Sequence, residues 1–205
     1  MATLRFDEPE LIARLDSLPR EHRAAFAAAC AERLFPAYVR FSREARQAAP
    51  ETLRTALNLL WDDLMGVPQP EQEVRASART CLALVPSEED EPSDAQPYAE
   101  DAATALGYAL EARVSTGSQE AMWSARRAYE TLDRFVMFDD SGVVVTANER
   151  RLLEHPLVQA ELARQHRDLD ELLTAKDRDV REVSARLRDR AKEEAGIFFG
   201  SASAT

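Results

Sequence analysis

The stretch Glu32-Arg33-Leu34-Phe35-Pro36-Ala37-Tyr38-Val39-Arg40-Phe41 decides the fold. Phe26, Cys30 and Leu34 lie on one side of a helix from about Glu21, and Tyr38, Phe41 and Ala45 continue it. A proline stands inside that run. It has no amide proton to bond one turn back, and its ring crowds that carbonyl, so the helix must kink or restart at Pro36.

The neighbouring segments read the same way. Pro9 opens a short helix through Leu18, with Asp7 or Glu8 as its cap. Pro50 begins a helix in which Leu53, Leu57, Leu60 and Leu64 recur at 4, 3 and 4, with Trp61 beside the stripe and Gly66 and Pro68 as its stop. Val74, Ala78, Cys81 and Val85 repeat the spacing from Pro70 to Pro86. Two longer helices follow, about Tyr98–Val114 and Ser118–Phe138, joined by a turn short enough to require antiparallel packing. Asp139–Thr146 reads as an extended connector, because Val143-Val144-Val145 has no second strand to pair with. A short helix near Asn148–Glu154 comes next.

From Pro156 to Ala195 nothing breaks the chain. Leu162, Leu169, Leu173, Val180, Val183 and Leu187 mostly keep a 3.5-residue period, which Gln165 and Lys176 interrupt. A continuous helix of that length would run roughly 55–60 Å, longer than a compact domain of this size is wide. The expectation is a bend near Lys176, or a tail that packs on a second copy as a homodimer.

Glycine is scarce at 6 of 205 residues, alanine supplies much of the 45% hydrophobic content, and β-branched runs are short. The class is therefore all-α: a single-domain bundle of about seven to eight helices over 1–196, with a long C-terminal helix and a flexible tail at 197–205. No window approaches the ~20 apolar residues of a membrane span, and the charged start at Arg5 and Asp7 is unlike a signal peptide. The expected location is the cytoplasm, with Cys30 and Cys81 as buried free thiols.

These features match, in order along nearly the whole chain, a pattern that resembles the YjaG-like family of bacterial domains of unknown function (DUF 416). The matching elements are Glu32, Arg33, Pro36 and Tyr38; Leu57, Leu60 and Trp61; Pro86-Ser87 before an acidic loop; Asp101-Ala102 ahead of Ala105-Leu106; and a charged last helix closing on Gly196-Ile197-Phe198. The resemblance implies an all-helical, cytoplasmic protein of about this length and carries no catalytic residues with it. The heavier acidic loop and the Gly-Val-Val-Val connector depart from the pattern.

Charge is uneven. No cation lies between Arg79 and Arg113, while Glu88, Glu89, Asp90, Glu91, Asp94, Glu100, Asp101 and Glu111 contribute −8 of the formal −11. Such a loop can dock a basic partner or attract a hard cation, though it lacks the EF-hand order; the plainer reading is a solvated loop. Glu32, Arg33, Tyr38, Asp62 and Asp101 form the candidate polar cluster around the kink, where Arg33 would satisfy freed carbonyls or pair with Asp62 or Asp101. A structural ion pair is the plainer reading there.

No histidine among His22, His155 and His166 follows a glutamate by three residues, so a di-iron set is missing. His166 and Asp170, one turn apart, fit a polar helix face as well as a metal. No metal, cofactor or catalytic set is assigned. The run Arg186, Arg188, Arg190, Lys192 is spread around a helix and diluted by acids, and a pI near 4.9 disfavours nucleic acid. The leading reading is a non-enzymatic protein-binding module that uses its acidic loop, such as an inhibitor or immunity-type partner of a basic protein. The alternative is a metal-assisted or acid/base enzyme with Glu32, Asp62, Asp101 and Tyr38 in an interhelical pocket.

Overall fold

In the computed structural model, which describes residues 3–44, 50–86, 93–137, 149–176 and 179–199, local sequence signals place most helix ends. Asp7 caps α1 (Glu8–Asp16), its carboxylate accepting from the Glu10 amide at 3.0 Å. α2 (Arg20–Glu44) runs through Pro36 as one 25-residue helix. α3 (Pro50–Leu64) ends where Gly66 takes φ +98, the left-handed conformation that costs glycine nothing, and the Val67 amide bonds back to the Asp62 carbonyl at 2.9 Å. α4 (Glu71–Ala83), α5 (Gln96–Val114), α6 (Gln119–Met137) and the short α7 (Glu149–Leu153) follow.

The final segment is two helices. α8 (Pro156–Ala175) and α9 (Val180–Phe199) are separated at Lys176, where the sequence stripe is interrupted. Asp179 restarts the helix by accepting from the Arg181 amide at 2.9 Å. The pairs Glu171–Arg186, Asp168–Arg190 and Arg167–Glu194 step in opposite directions along the two helices, so α9 returns antiparallel to α8. This makes nine helices among the described residues where seven to eight are expected, and replaces the long C-terminal helix with a hairpin. Val183, Leu187, Ala191 and Ala195 are buried within the chain, against α2 and its neighbours. The helix also reaches Phe199, beyond the expected start of the tail.

α2 and α5 form the centre. Every residue from His22 to Leu34 is buried, which a helix achieves only with neighbours on all sides. α2 packs along α5, and buried alanines on both helices (24, 25, 27, 28, 29 and 31 of α2; 99, 102, 103, 105 and 109 of α5) allow the close approach of α2 to its neighbours. Ser124 of α6 joins both helices: its hydroxyl lies 3.1 Å from the Ala27 carbonyl and 3.0 Å from the Ala105 carbonyl. All four leucines of the α3 stripe and Trp61 are in the core. Among the described residues there is no strand, and no helix is long and apolar enough to cross a membrane. The Asp139–Thr146 connector lies outside the described residues.

Candidate functional site

Glu32 and Arg33 are adjacent in the middle of α2, and the 100° step of the helix sends them to different partners. Glu32 faces α3, where its carboxylate accepts from Arg54 Nη1 at 2.7 Å and from Trp61 Nε1 at 2.9 Å. The Arg54 guanidinium also lies over the Phe35 ring, 3.8 Å from its centroid. Pro36 supplies no amide to the Glu32 carbonyl, so this turn of α2 is tied outward by side chains where its own ladder lacks a rung.

Arg33 faces α8. Its Nε and Nη2 form a fork on Glu161 at 3.0 and 2.9 Å, and Nη1 reaches Asp168 at 2.9 Å, with Glu194 of α9 at 3.8 Å. All three principal partners are almost fully buried. Gln165 completes the seam by donating to Glu161 and to the Ala125 carbonyl, both at 3.0 Å. Burial pushes the Asp168 carboxyl up, and Arg33, Arg167 and Arg190 together overcome that, holding it below the usual carboxylate value. Burial likewise opposes the charge on Arg33, but Glu161 and Asp168 hold it charged well beyond the usual range. Cys30 accepts weakly from Arg33 Nη2 at 3.5 Å, and burial keeps its thiol protonated far above ordinary thiol values. Burial raises Cys81 to about 12 as well. Both thiols are free and inert at neutral pH.

The five residues expected around the kink therefore engage different helices. Tyr38 donates to the Leu84 carbonyl at 3.0 Å, satisfying the end of α4. Asp62 is half exposed and lies 3.6 Å from Arg188 of α9. Asp101 is buried against α6, accepting from Arg134 at 2.7 Å, Thr131 at 3.0 Å and Arg127 at 3.3 Å. Arg33 is held by Glu161 and Asp168 in place of Asp62 or Asp101. The inward acid at the end of α3 is Asp63, paired with Arg113 and bonded to the Gln69 amide. A helical wheel marks it, since Asp63 lies one turn beyond Leu60 and two beyond Ala56. Of the acidic loop, Glu88, Glu89, Asp90 and Glu91 lie outside the described residues, and Asp94 is exposed beside Ser93 and Gln96.

Each histidine has a local structural contact. His22 Nε2 sits 3.2 Å from the Ala175 carbonyl at the end of α8, and His155 caps the start of α8 by accepting from the Leu157 amide at 3.2 Å. His166 and Asp170 share Arg14, which pairs with the carboxylate and approaches the imidazole Nδ1 at 3.5 Å. Among the described residues, no three His, Cys, Asp or Glu side chains converge as a metal ion requires.

The structure thus defines an all-α bundle whose buried charged groups are mostly joined as ion pairs between helices. The chain matches the family described as "Protein of unknown function (DUF416)" over residues 10–197, and it belongs to that family. The crystal structure of a DUF416 family protein from Shewanella baltica OS155, at 1.91 Å resolution, is similar with a TM-score of 0.75. The match spans 89% of this chain and 93% of that one at 22% identity, a likeness of fold alone. No curated protein matches the chain.

Proposed function

We propose that the protein is a non-enzymatic binding module of the cytoplasm that engages a basic protein through the acidic end of α5. The observation that carries this reading is an open groove of about 420 Å³ lined by Ser93, Asp94, Gln96, Pro97 and Glu100. Two of its five lining residues are carboxylates and none is a cation, and in the sequence Glu88-Glu89-Asp90-Glu91 come shortly before Ser93. A cationic partner docked there would associate quickly at low salt and lose that advantage as salt screens the field. The acid/base enzyme finds less support, because Glu32, Tyr38, Asp62 and Asp101 face four different helices or helix ends. A homodimer through the last helix loses the apolar stripe that motivated it, since α9 buries that stripe internally.

The test is affinity capture with the intact chain and with a variant carrying Gln or Asn at 88, 89, 90, 91 and 94. A partner retained by the intact chain at low salt should be lost in about 1 M salt and by the variant at any salt. Retention unchanged in high salt would remove the acidic end as the contact.

A further inference from the structure

We infer that a second groove, between α2, α3 and α9, binds a small ligand through an oxyanion group, a carboxylate or a phosphate. It has a volume of about 540 Å³, within the range of ordinary small-molecule sites, and Glu32, Pro36, Arg54, Asn58, Arg188 and Lys192 line it. None of these residues lines the acidic groove at α5, so the two sites are independent.

Three cations meet here on a chain whose formal charge is −11. Their nearby acids do not cancel them. Glu32 divides its oxygens between Arg54 and Trp61, and half-exposed Asp62 stands 3.6 Å from Arg188. Among the described residues Lys192 forms no ion pair, so its charge is not held by a contact within the chain.

The two arginines are held in place by neighbours in and beside the groove. Arg54 is fixed by Glu32 and by the Phe35 ring, and Arg188 Nη2 donates to Asn58 at 2.9 Å. A guanidinium already positioned loses little freedom when an anion arrives, so its fork favours a planar or tetrahedral oxyanion. Arg188 Nε is buried and has no hydrogen-bond partner among the described residues. That atom is closed to solvent and so to a ligand in the groove, but its signal reports a change at the guanidinium it belongs to.

The sign of the whole chain narrows the ligand further. A polyanion such as RNA would meet repulsion beyond the groove, whereas a small anion feels chiefly the three local cations.

The experiment is a titration of the full-length protein followed by the 15N–1H signals of its arginine Nε groups, with inorganic phosphate and with acetate, each against sodium chloride of equal ionic strength. Saturable shifts of Arg188 and Arg54 Nε are expected with at least one oxyanion and not with chloride. Saturation by phosphate alone assigns a phosphorylated ligand, and saturation by acetate assigns a carboxylate. Lys192→Gln, at an exposed position, should weaken binding about tenfold with an unchanged melting temperature. Arg188→Lys should weaken it too, because it keeps the charge and loses the planar fork. Shifts that never saturate, that chloride reproduces, or that Lys192→Gln leaves unaltered would overturn the proposal.

Discussion

The Trp61 indole donates to Glu32 Oε2 at 2.9 Å in a place where both side chains are shut off from water, at 0% and 1% exposure. The other carboxylate oxygen depends on Arg54. Trp61→Phe would keep most of the ring and remove its only donor. A buried carboxylate oxygen left bare costs about 1–3 kcal/mol or more, and the lost ring atoms leave a small cavity besides. The expected loss is about 2–4 kcal/mol in urea unfolding. In a Glu32→Met background the same change should cost at least 1 kcal/mol less, because the orphaned acceptor is gone. Equal costs in both backgrounds would show that the indole acts by packing alone.

Arg33 supports a larger prediction. It is one cation serving Glu161 and Asp168 inside the protein, and removing one side of such a set strands the other in a poorly solvating interior. Arg33→Met should destabilise by about 3–5 kcal/mol. Replacing Glu161 by Leu as well should recover part of that loss, since fewer buried charges then lack partners. A double-mutant cycle by chemical denaturation measures the coupling, and strict additivity of the two single changes would show that no such coupling exists.

The sequence made the apolar stripes of α3 and α4 legible because their spacing repeats every turn and core packing confirms each position. The partners of Arg33 were harder to see. Glu161, Gln165 and Asp168 also repeat at helical spacing, as a polar stripe beside Val158, Leu162, Leu169 and Leu172, but charged residues on a helix ordinarily face solvent. Gln165 stands out as an interruption of the apolar pattern, and it lies between the two acids that Arg33 requires. What could not be read locally was that α9 folds back and α2 passes beneath, since pairings more than 120 residues apart are tertiary facts. The break at Lys176 was legible for the opposite reason: the stripe itself lapses there.

Two buried acids should respond to pH with opposite signs. Asp168 is held below its ordinary value of 3.8 once Arg33, Arg167 and Arg190 outweigh burial. The unfolded chain therefore takes up the proton first. Stability from Asp168 is full above pH ~4 and falls as acid passes below the unfolded value towards the folded one. Asp101 is raised, because burial outweighs Arg134, Thr131 and Arg127, so its folded form binds the proton first and its contribution improves as pH falls through the raised value. Asp168→Asn should flatten the acid limb of a stability–pH curve, whereas Asp101→Asn should steepen it in the window above pH ~4. The curve is measured by urea unfolding from pH 3 to 7, about one unit per step, and matching changes in the two variants would refute the assignment.

Gly107 offers a test of packing against helix propensity. It sits inside α5, where alanine in its place would favour the helix by about 1 kcal/mol. A methyl group there would lie 2.7 Å from Leu82 Cδ2 and 2.8 Å from Cγ, so the leucine must move. Leu82 is 40% exposed and can swing towards water, but it would leave its preferred rotamer or part of its contact at a cost of about 0.5–1.5 kcal/mol. The two effects nearly cancel, and Gly107→Ala alone should change stability by less than about 0.5 kcal/mol. Once Leu82→Ala removes the obstacle, adding Gly107→Ala should stabilise by about 1 kcal/mol relative to the Leu82→Ala protein. Thermal unfolding of the four proteins in the cycle measures this. If the glycine change remains neutral or harmful without Leu82, then close contact with that side chain is not what keeps position 107 bare.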